Sequence, residues 1–275
     1  MMIGEIQCLM QVHEAIDAAG QTVAVKSAKQ GDAHAEGLLA AEAKLHAKLQ
    51  HPNVVALRGI VDAPGLRKGA IFATDQSLVL EYCEGGTLEE VMRRYDDQFE
   101  DVPEGTRLDA LDGVLAALEH VHERGVCHLD VKPENVLLKH SDASGLPQQF
   151  LLADFGLAHA ADGQVMMPLG PRGTKPYIAP ELALNERNVA SPAADIWSVG
   201  VLMRALLDAS EPYGYSSYEV FIEDLQTGTA FAEERAEPQG QYGKVMAACL
   251  NFEPALRPSA SAVRDGLRKL REALR

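Results

Sequence analysis

Cysteine is scarce and scattered in this chain. The four cysteines, Cys8, Cys83, Cys127 and Cys249, form no Cys-x-x-Cys pair and have no histidine partners at ligand spacing. Neither a zinc site nor a disulfide framework is suggested, and a reducing compartment is expected. There is no uninterrupted apolar run of about 18 residues, so no membrane span is predicted. The N-terminus lacks a basic segment followed by an apolar run and a small-residue cleavage site; no secretory signal is expected, and the expected location is cytoplasmic. Positive charge is also short, with 25 Lys and Arg against 40 Asp and Glu, a formal net charge of −15. That argues against a nucleic-acid or anionic-membrane surface and leaves basic proteins admissible as partners. No internal repeat is found, and the one biased region is the Ala-rich stretch from Ala33 to Ala47.

What is present is a globular composition. Apolar residues make up 47% of 275, enough for one large domain or two packed lobes around a sizeable core. Loose alternation over Cys8–Asp17 and clearer alternation over Gln21–Ala28, with Ala18-Ala19-Gly20 between, predict a β-hairpin. Leu38, Leu39, Leu45 and Leu49 at helical spacing predict a helix over Ala35–Leu49, stopped by His51-Pro52-Asn53 because Pro52 disfavours a helical His51. Strands are expected over Asn53–Val61 and Ser77–Tyr82, joined by a connection holding Pro64, Gly65 and Gly69. Thr87 is placed to cap a short helix to about Arg94, and Asp96–Glu104 reads as a solvated acidic loop. A long amphipathic helix is expected from Thr106 to near Gly125, with Leu108, Leu111, Leu115 and Leu118 on one stripe. Ser141–Pro147 reads as a polar turn between two short strands. Further helices are expected over Ser191 to about Leu207 and from Ser259 onward, the latter carrying Leu267, Leu270 and Leu274.

One stretch organises the rest: Cys127-His128-Leu129-Asp130-Val131-Lys132-Pro133-Glu134-Asn135-Val136-Leu137-Leu138, then Ala153-Asp154-Phe155-Gly156. Singly these triplets are common; their order and separation carry the signal. Together with Val23-Ala24-Val25-Lys26, Ala179-Pro180-Glu181 and Asp195-Ile196-Trp197-Ser198-Val199-Gly200, they resemble the catalytic loop, metal-binding loop and flanking motifs of eukaryotic-type protein kinases. The resemblance covers nearly the whole chain. It implies an α+β, two-lobed fold: a small N-lobe over 1–81 with a twisted antiparallel sheet and one helix, a hinge at 82–86, and a larger, mainly helical C-lobe over 87–275.

It also implies roles for particular residues. A hydroxyl attacking the terminal phosphoryl group of ATP must lose its proton to a carboxylate within reach, and Asp130 is the candidate base. Mg²⁺ bound to triphosphate prefers one or two protein oxygens, which Asn135 and Asp154 would supply. Lys26 and Lys132 would contact phosphate, and Thr174 would orient Asp130 and Lys132. Glu42, with Glu36 as its rival, would pair with Lys26. Around adenine the resemblance places Val12, Ala24, Leu80, Leu137 and the hinge residues Glu81 and Cys83. Asp195 would hold the catalytic-loop backbone, and Arg257 would pair with Glu181. Lys132 and Thr174 match the serine/threonine branch.

Two departures stand out. The Gly-x-Gly-x-x-Gly loop that should cover the phosphates is missing: its glycine places hold Glu5, Gln7 and Met10, where side chains would crowd the phosphates and Glu5 would repel them. Leu129 stands where the family commonly carries an arginine that receives an activation-segment phosphate. Between Gly156 and Gly173 there is no serine, threonine or tyrosine, so the two absences agree, and regulation by phosphorylation of that segment is not expected. The leading expectation is a serine/threonine protein kinase using ATP and Mg²⁺ on a protein substrate. The alternative is a pseudokinase that acts as a nucleotide-binding or docking scaffold.

Overall fold

The computed structural model describes residues 10–29, 32–62, 76–98, 100–139, 149–161, 174–184, 190–207, 218–232 and 242–273. Glu5, Gln7, Cys8, the Pro64–Gly69 connection, the Ser141–Pro147 turn, Leu274 and most of the segment between Gly156 and Gly173 lie outside the described residues.

The hairpin is built from one aspartate. The Asp17 carboxylate accepts from the backbone N–H groups of Ala19 and Gln21 at 2.9 and 2.8 Å, and Gly20, at φ +79°, supplies the left-handed step that closes the turn. Strand β1 (Met10–Ile16) thereby pairs antiparallel with β2 (Thr22–Ala28), setting Val12 opposite Lys26. With β3 (Leu57–Asp62) and β4 (Gln76–Glu81) they form a four-stranded sheet in the order β1-β2-β4-β3. Because side chains alternate along a strand, Val12, Ala24, Lys26, Leu78 and Leu80 share one face.

Helix α1 (Ala33–His46) packs on that sheet through Leu39 and Ala43 against Leu78. It starts two residues before the predicted place, where the Asp32 carboxylate caps it. It ends three residues early, because tighter bonds from Lys48 N–H to Leu45 O and Leu49 N–H to His46 O close its last turn. The strand expected from Asn53 also begins late. Val54 and Val55 are bonded elsewhere: Val55 N–H reaches Leu152 O at 3.0 Å and Leu152 N–H reaches Asn53 O at 2.8 Å, which ties this segment to the other lobe.

The chain crosses to the C-lobe at Gly85-Gly86. A side chain at Gly85 would stand 2.6 Å from Leu138 Cβ, and the close approach is held by Gly85 N–H to Leu138 O and Leu138 N–H to Gly86 O, both 3.0 Å. Thr87 then caps α2 (Leu88–Asp96) in a reciprocal capping box with Glu90. Helix α3 (Glu104–Glu123) starts two residues ahead of Thr106, following Pro103. Its burial exceeds the predicted stripe, since Ala110, Val114, Ala116, Ala117 and Val121 are enclosed as well. It is therefore a core helix.

Two short strand pairs and a turn carry the central loops: β5 (Val126–Cys127) with β8 (His159–Ala160), β6 (Val136–Leu138) with β7 (Phe150–Leu152), and a 3₁₀ turn at Pro133–Asn135. Beyond them lie α4 (Pro180–Ala183), the buried α5 (Pro192–Leu207), α6 (Tyr218–Thr227), α7 (Gly243–Cys249) and α8 (Ala260–Ala273). Ser259 Oγ accepts from Ala262 N–H at 3.2 Å as the cap of α8. The expected ion pair forms: Arg257 binds Glu181 through two bonds of 2.7 and 2.8 Å. The architecture is a small N-terminal lobe with an antiparallel sheet and a larger helical C-terminal lobe. One continuous apolar core runs through α3, α5, β6 and β7.

Candidate active site

The candidate site forms where β2, α1 and the two central loops meet. Lys26 projects from the cleft face of β2, and its ammonium donates to both Glu42 oxygens at 2.8 and 2.7 Å and to Asp154 Oδ1 at 2.7 Å. Burial opposes the Lys26 charge, but the carboxylates of Asp154 and Glu42 outweigh it and raise its pKa. Burial likewise works against ionised Asp154, yet the Lys26 ammonium and the Gly156 N–H hold its carboxyl below the ordinary range. Both oxygens of Glu42, buried in α1, meet Lys26, whereas Glu36, its rival, lies in the first turn of that helix. Spacing alone left both open; packing separates them.

The residues of the Asp130 loop form a second, linked cluster. Thr174 Oγ donates to Asp130 Oδ1 at 2.9 Å, and Lys132 Nζ bonds Thr174 Oγ at 2.7 Å and lies 2.9 Å from Asp130 Oδ2. Asn135 Nδ2 donates to the backbone carbonyl of Asp130 at 2.8 Å and to its Oδ2 at 2.9 Å. Each oxygen of Asp130 is thus oriented by a donor. The backbone is fixed from below: Asp195, fully buried, accepts from His128 N–H at 2.9 Å and Leu129 N–H at 2.7 Å. Burial would raise the Asp195 pKa, but the bond with His122 at 2.7 Å and the backbone N–H of His128 lower it. Leu129 sits at φ +66° with its side chain in the apolar core at 4% exposure.

The other named residues surround the cleft. Leu80, Cys83 and Leu137 pack together around Val55, Leu151 and Ala153. Ala24 is half-buried on β2, while Val12 opens to solvent at 60% exposure. The Glu81 side chain turns away to an ion pair with Lys139 at 2.5 Å, so any hinge role for Glu81 falls to its backbone. The Cys83 thiol is pushed up to about 12 by burial, then by Glu81, and is no nucleophile at neutral pH.

Sequence reasoning gave no role to His128, though it lies in the motif, and passed over His122 and His46. His128 accepts from Asp130 N–H on Nδ1 at 3.2 Å and so donates from Nε2 to Ala153 O at 2.9 Å, joining the two loops. His122 supports Asp195, and His46 lies under Phe155 with ring centroids 4.8 Å apart. The signal for His46 was available: a polar residue four positions after Glu42 falls on the same helix face.

Comparison with known proteins agrees with this architecture. The profile of the family described as "Protein kinase domain" matches residues 9–266, and the chain belongs to that family. It is 37% identical over 169 residues to human (Homo sapiens) calcium/calmodulin-dependent protein kinase type IV, covering 60% of this chain and 31% of that protein. It is 34% identical over 198 residues to mitogen-activated protein kinase kinase kinase 18 of Arabidopsis thaliana, covering 71% of this chain and 53% of that one. To serine/threonine-protein kinase Nek3 of Mus musculus it is 28% identical over 225 residues, covering 81% and 40%. The chain spans from 13% to 53% of the lengths of such curated relatives. The family in general uses ATP and Mg²⁺ and acts on protein substrates. Among the described residues no helix is long and apolar enough to cross a membrane.

Proposed function

We propose that the chain is an ATP- and Mg²⁺-dependent serine/threonine protein kinase, with Asp130 taking the proton of the acceptor hydroxyl. The observation that carries the reading is the pair of linked clusters, in which Lys26 bridges Glu42 and Asp154 while Thr174, Lys132 and Asn135 orient Asp130. The donor set fits the cofactor. Asn135 turns its Nδ2 to Asp130, leaving Oδ1 for a hard cation. Asp154 turns Oδ1 to Lys26 and Gly156, leaving Oδ2 on a side chain that keeps 39% exposure. ATP with Mg²⁺, when bound, supplies the transferable phosphoryl group and neutralises its charge. Lys26 would anchor phosphate, Lys132 would face charge developing on the transferred group, and Thr174 would keep Asp130 aimed at the hydroxyl. Leu80, Leu137 and Val12, with the backbone of Glu81 and Cys83, would enclose adenine.

Activity would not be set by phosphorylation of the segment after Gly156. Leu129 offers an apolar, buried side chain where a phosphate receptor would stand, and the segment from 157 to 172 has no hydroxyl. Mapping phosphosites on active protein tests this; a required site between 157 and 172 would refute it. The test of the function itself is radiolabel transfer from ATP to a basic protein or to the chain, abolished in Asp130→Asn.

A second reading, a pseudokinase scaffold, is favoured by the absent glycines at positions 5, 7 and 10. A thermal shift separates the two: ligand at 100 times its Kd stabilises the folded form by about 2.7 kcal/mol. No shift with ATP and Mg²⁺, together with no transfer, would leave the scaffold.

A further inference from the structure

Position 46 lies on the buried face of α1, one turn beyond Glu42, where an aliphatic side chain would satisfy packing. Histidine adds one N–H. His46 is 2% exposed, and its Nε2 lies 2.6 Å from the carbonyl oxygen of Val55. A carbonyl can only accept, so Nε2 carries the ring proton. Nδ1 is buried and has no partner among the described residues. A second proton there would be a charged donor without an acceptor, so the ring is neutral. Burial lowers its pKa, and the charge of Lys26 adds to this; the Val55 carbonyl and Asp154 oppose it without reversing it.

Val55 is bonded in both directions. Its carbonyl takes the His46 proton, and its N–H donates to Leu152 O at 3.0 Å, two residues before Asp154. The same ring lies against Phe155, with centroids 4.8 Å apart, and Phe155 meets His128 edge-on at 4.9 Å. We infer that His46 is a positioning residue, a polar latch that ties the end of α1 through Val55 to the strand leading into Asp154, and so sets Glu42 and Asp154 on opposite sides of the Lys26 ammonium. The donor, rather than the bulk of the ring, is the working part. An apolar residue would keep the contact with Phe155 and lose the tie to Val55. The catalytic consequence of this inference rests on the kinase reading; the latch itself does not.

The experiment compares wild-type chain with His46→Leu and with His46→Gln, whose amide can place a donor near the Nε2 position. Amide hydrogen exchange is followed over residues 42–47 and 55, and the Kd for MgATP is measured by calorimetry. In His46→Leu the last turn of α1 is expected to exchange roughly five- to tenfold faster and MgATP to bind weaker by a similar factor, as for one lost buried hydrogen bond. His46→Gln is expected within about twofold of wild type on both readouts. Should His46→Leu fail to fold, His46→Met fills the same gap flexibly and makes the same comparison. Exchange in His46→Leu unchanged within about twofold, or His46→Gln no better than His46→Leu, overturns the latch. Absence of MgATP binding to wild type would overturn the kinase reading instead, and the exchange comparison would still decide on the latch.

Discussion

The two lobes hold their parts of the candidate site by different means. In the N-lobe the apolar core under the sheet is Leu39, Ala43 and Leu78 with a few half-buried neighbours, and Lys26 is placed by two carboxylates, one of them from the other lobe. In the C-lobe the Asp130 loop rests on a core running from α3 to α5 and is anchored by the buried Asp195. The difference teaches where damage should spread. C-lobe anchors couple to the whole fold, because their loss strands buried polar groups inside a large core. N-lobe contacts couple to ligand binding, because the parts they hold can shift without opening that core.

Asp195→Ala should break the comparison hardest. It leaves the N–H groups of His128 and Leu129, and the His122 ring, without their acceptor, and is expected to cost about 3–5 kcal/mol, read by denaturant unfolding with loss of any transfer activity. Asp130→Asn comes next, with a loss of transfer of about 10²–10⁴-fold and a folded protein by the same unfolding measurement. Lys26→Met should sharpen the contrast: it removes the cation between Glu42 and Asp154 and is expected to abolish the thermal shift with MgATP while the C-lobe keeps its exchange protection. A protected C-lobe in Asp195→Ala, or an unfolded one in Lys26→Met, would invert the picture.

Acid should act more gently, in two stages. His46 has a folded pKa below its unfolded value, so as pH falls the unfolded chain takes up the proton first. Its contribution to stability is full above about pH 6.5 and declines below it. His51 and His120, both lowered by burial and by nearby arginines, act in the same direction. The carboxyls of Asp154 and Asp195, also lowered, contribute above about pH 4 and lose that contribution only below it. Unfolding free energy against pH should therefore fall in two limbs, and His46→Leu should flatten the upper limb by up to about 1.4 kcal/mol per pH unit. The smallest effect is expected for Arg264→Ala on α8. Its bonds to Asp112 at 2.9 Å and Glu119 at 3.2 Å lie near the surface, and the loss should stay under about 1 kcal/mol and shrink with added salt.

Residues proposed to carry the chemistry were legible in sequence. Asp130, Lys132, Asn135 and Asp154 lie in two short motifs, and Thr87 announces the start of α2 because a capping side chain acts within three residues. What was not legible depended on partners far along the chain. The strand expected from Asn53 started late because Leu152, nearly a hundred residues on, takes the N–H of Val55 and donates its own to Asn53 O. The stripe on α3 widened because α5 and β7 enclose other faces of the same helix, which no count along α3 could show.

The order of amino acids pointed to the family, to side chains chemically able to accept a proton or hold a cation, and to the absence of glycine at positions 5, 7 and 10, since these depend on chemical type and short spacing. The packed molecule decided between Glu36 and Glu42, turned the Glu81 side chain to Lys139, and brought the single N–H of His46 to Val55. Those outcomes follow from distances across the cleft and from which polar groups the core leaves unpaired, and such quantities exist only once the chain is folded.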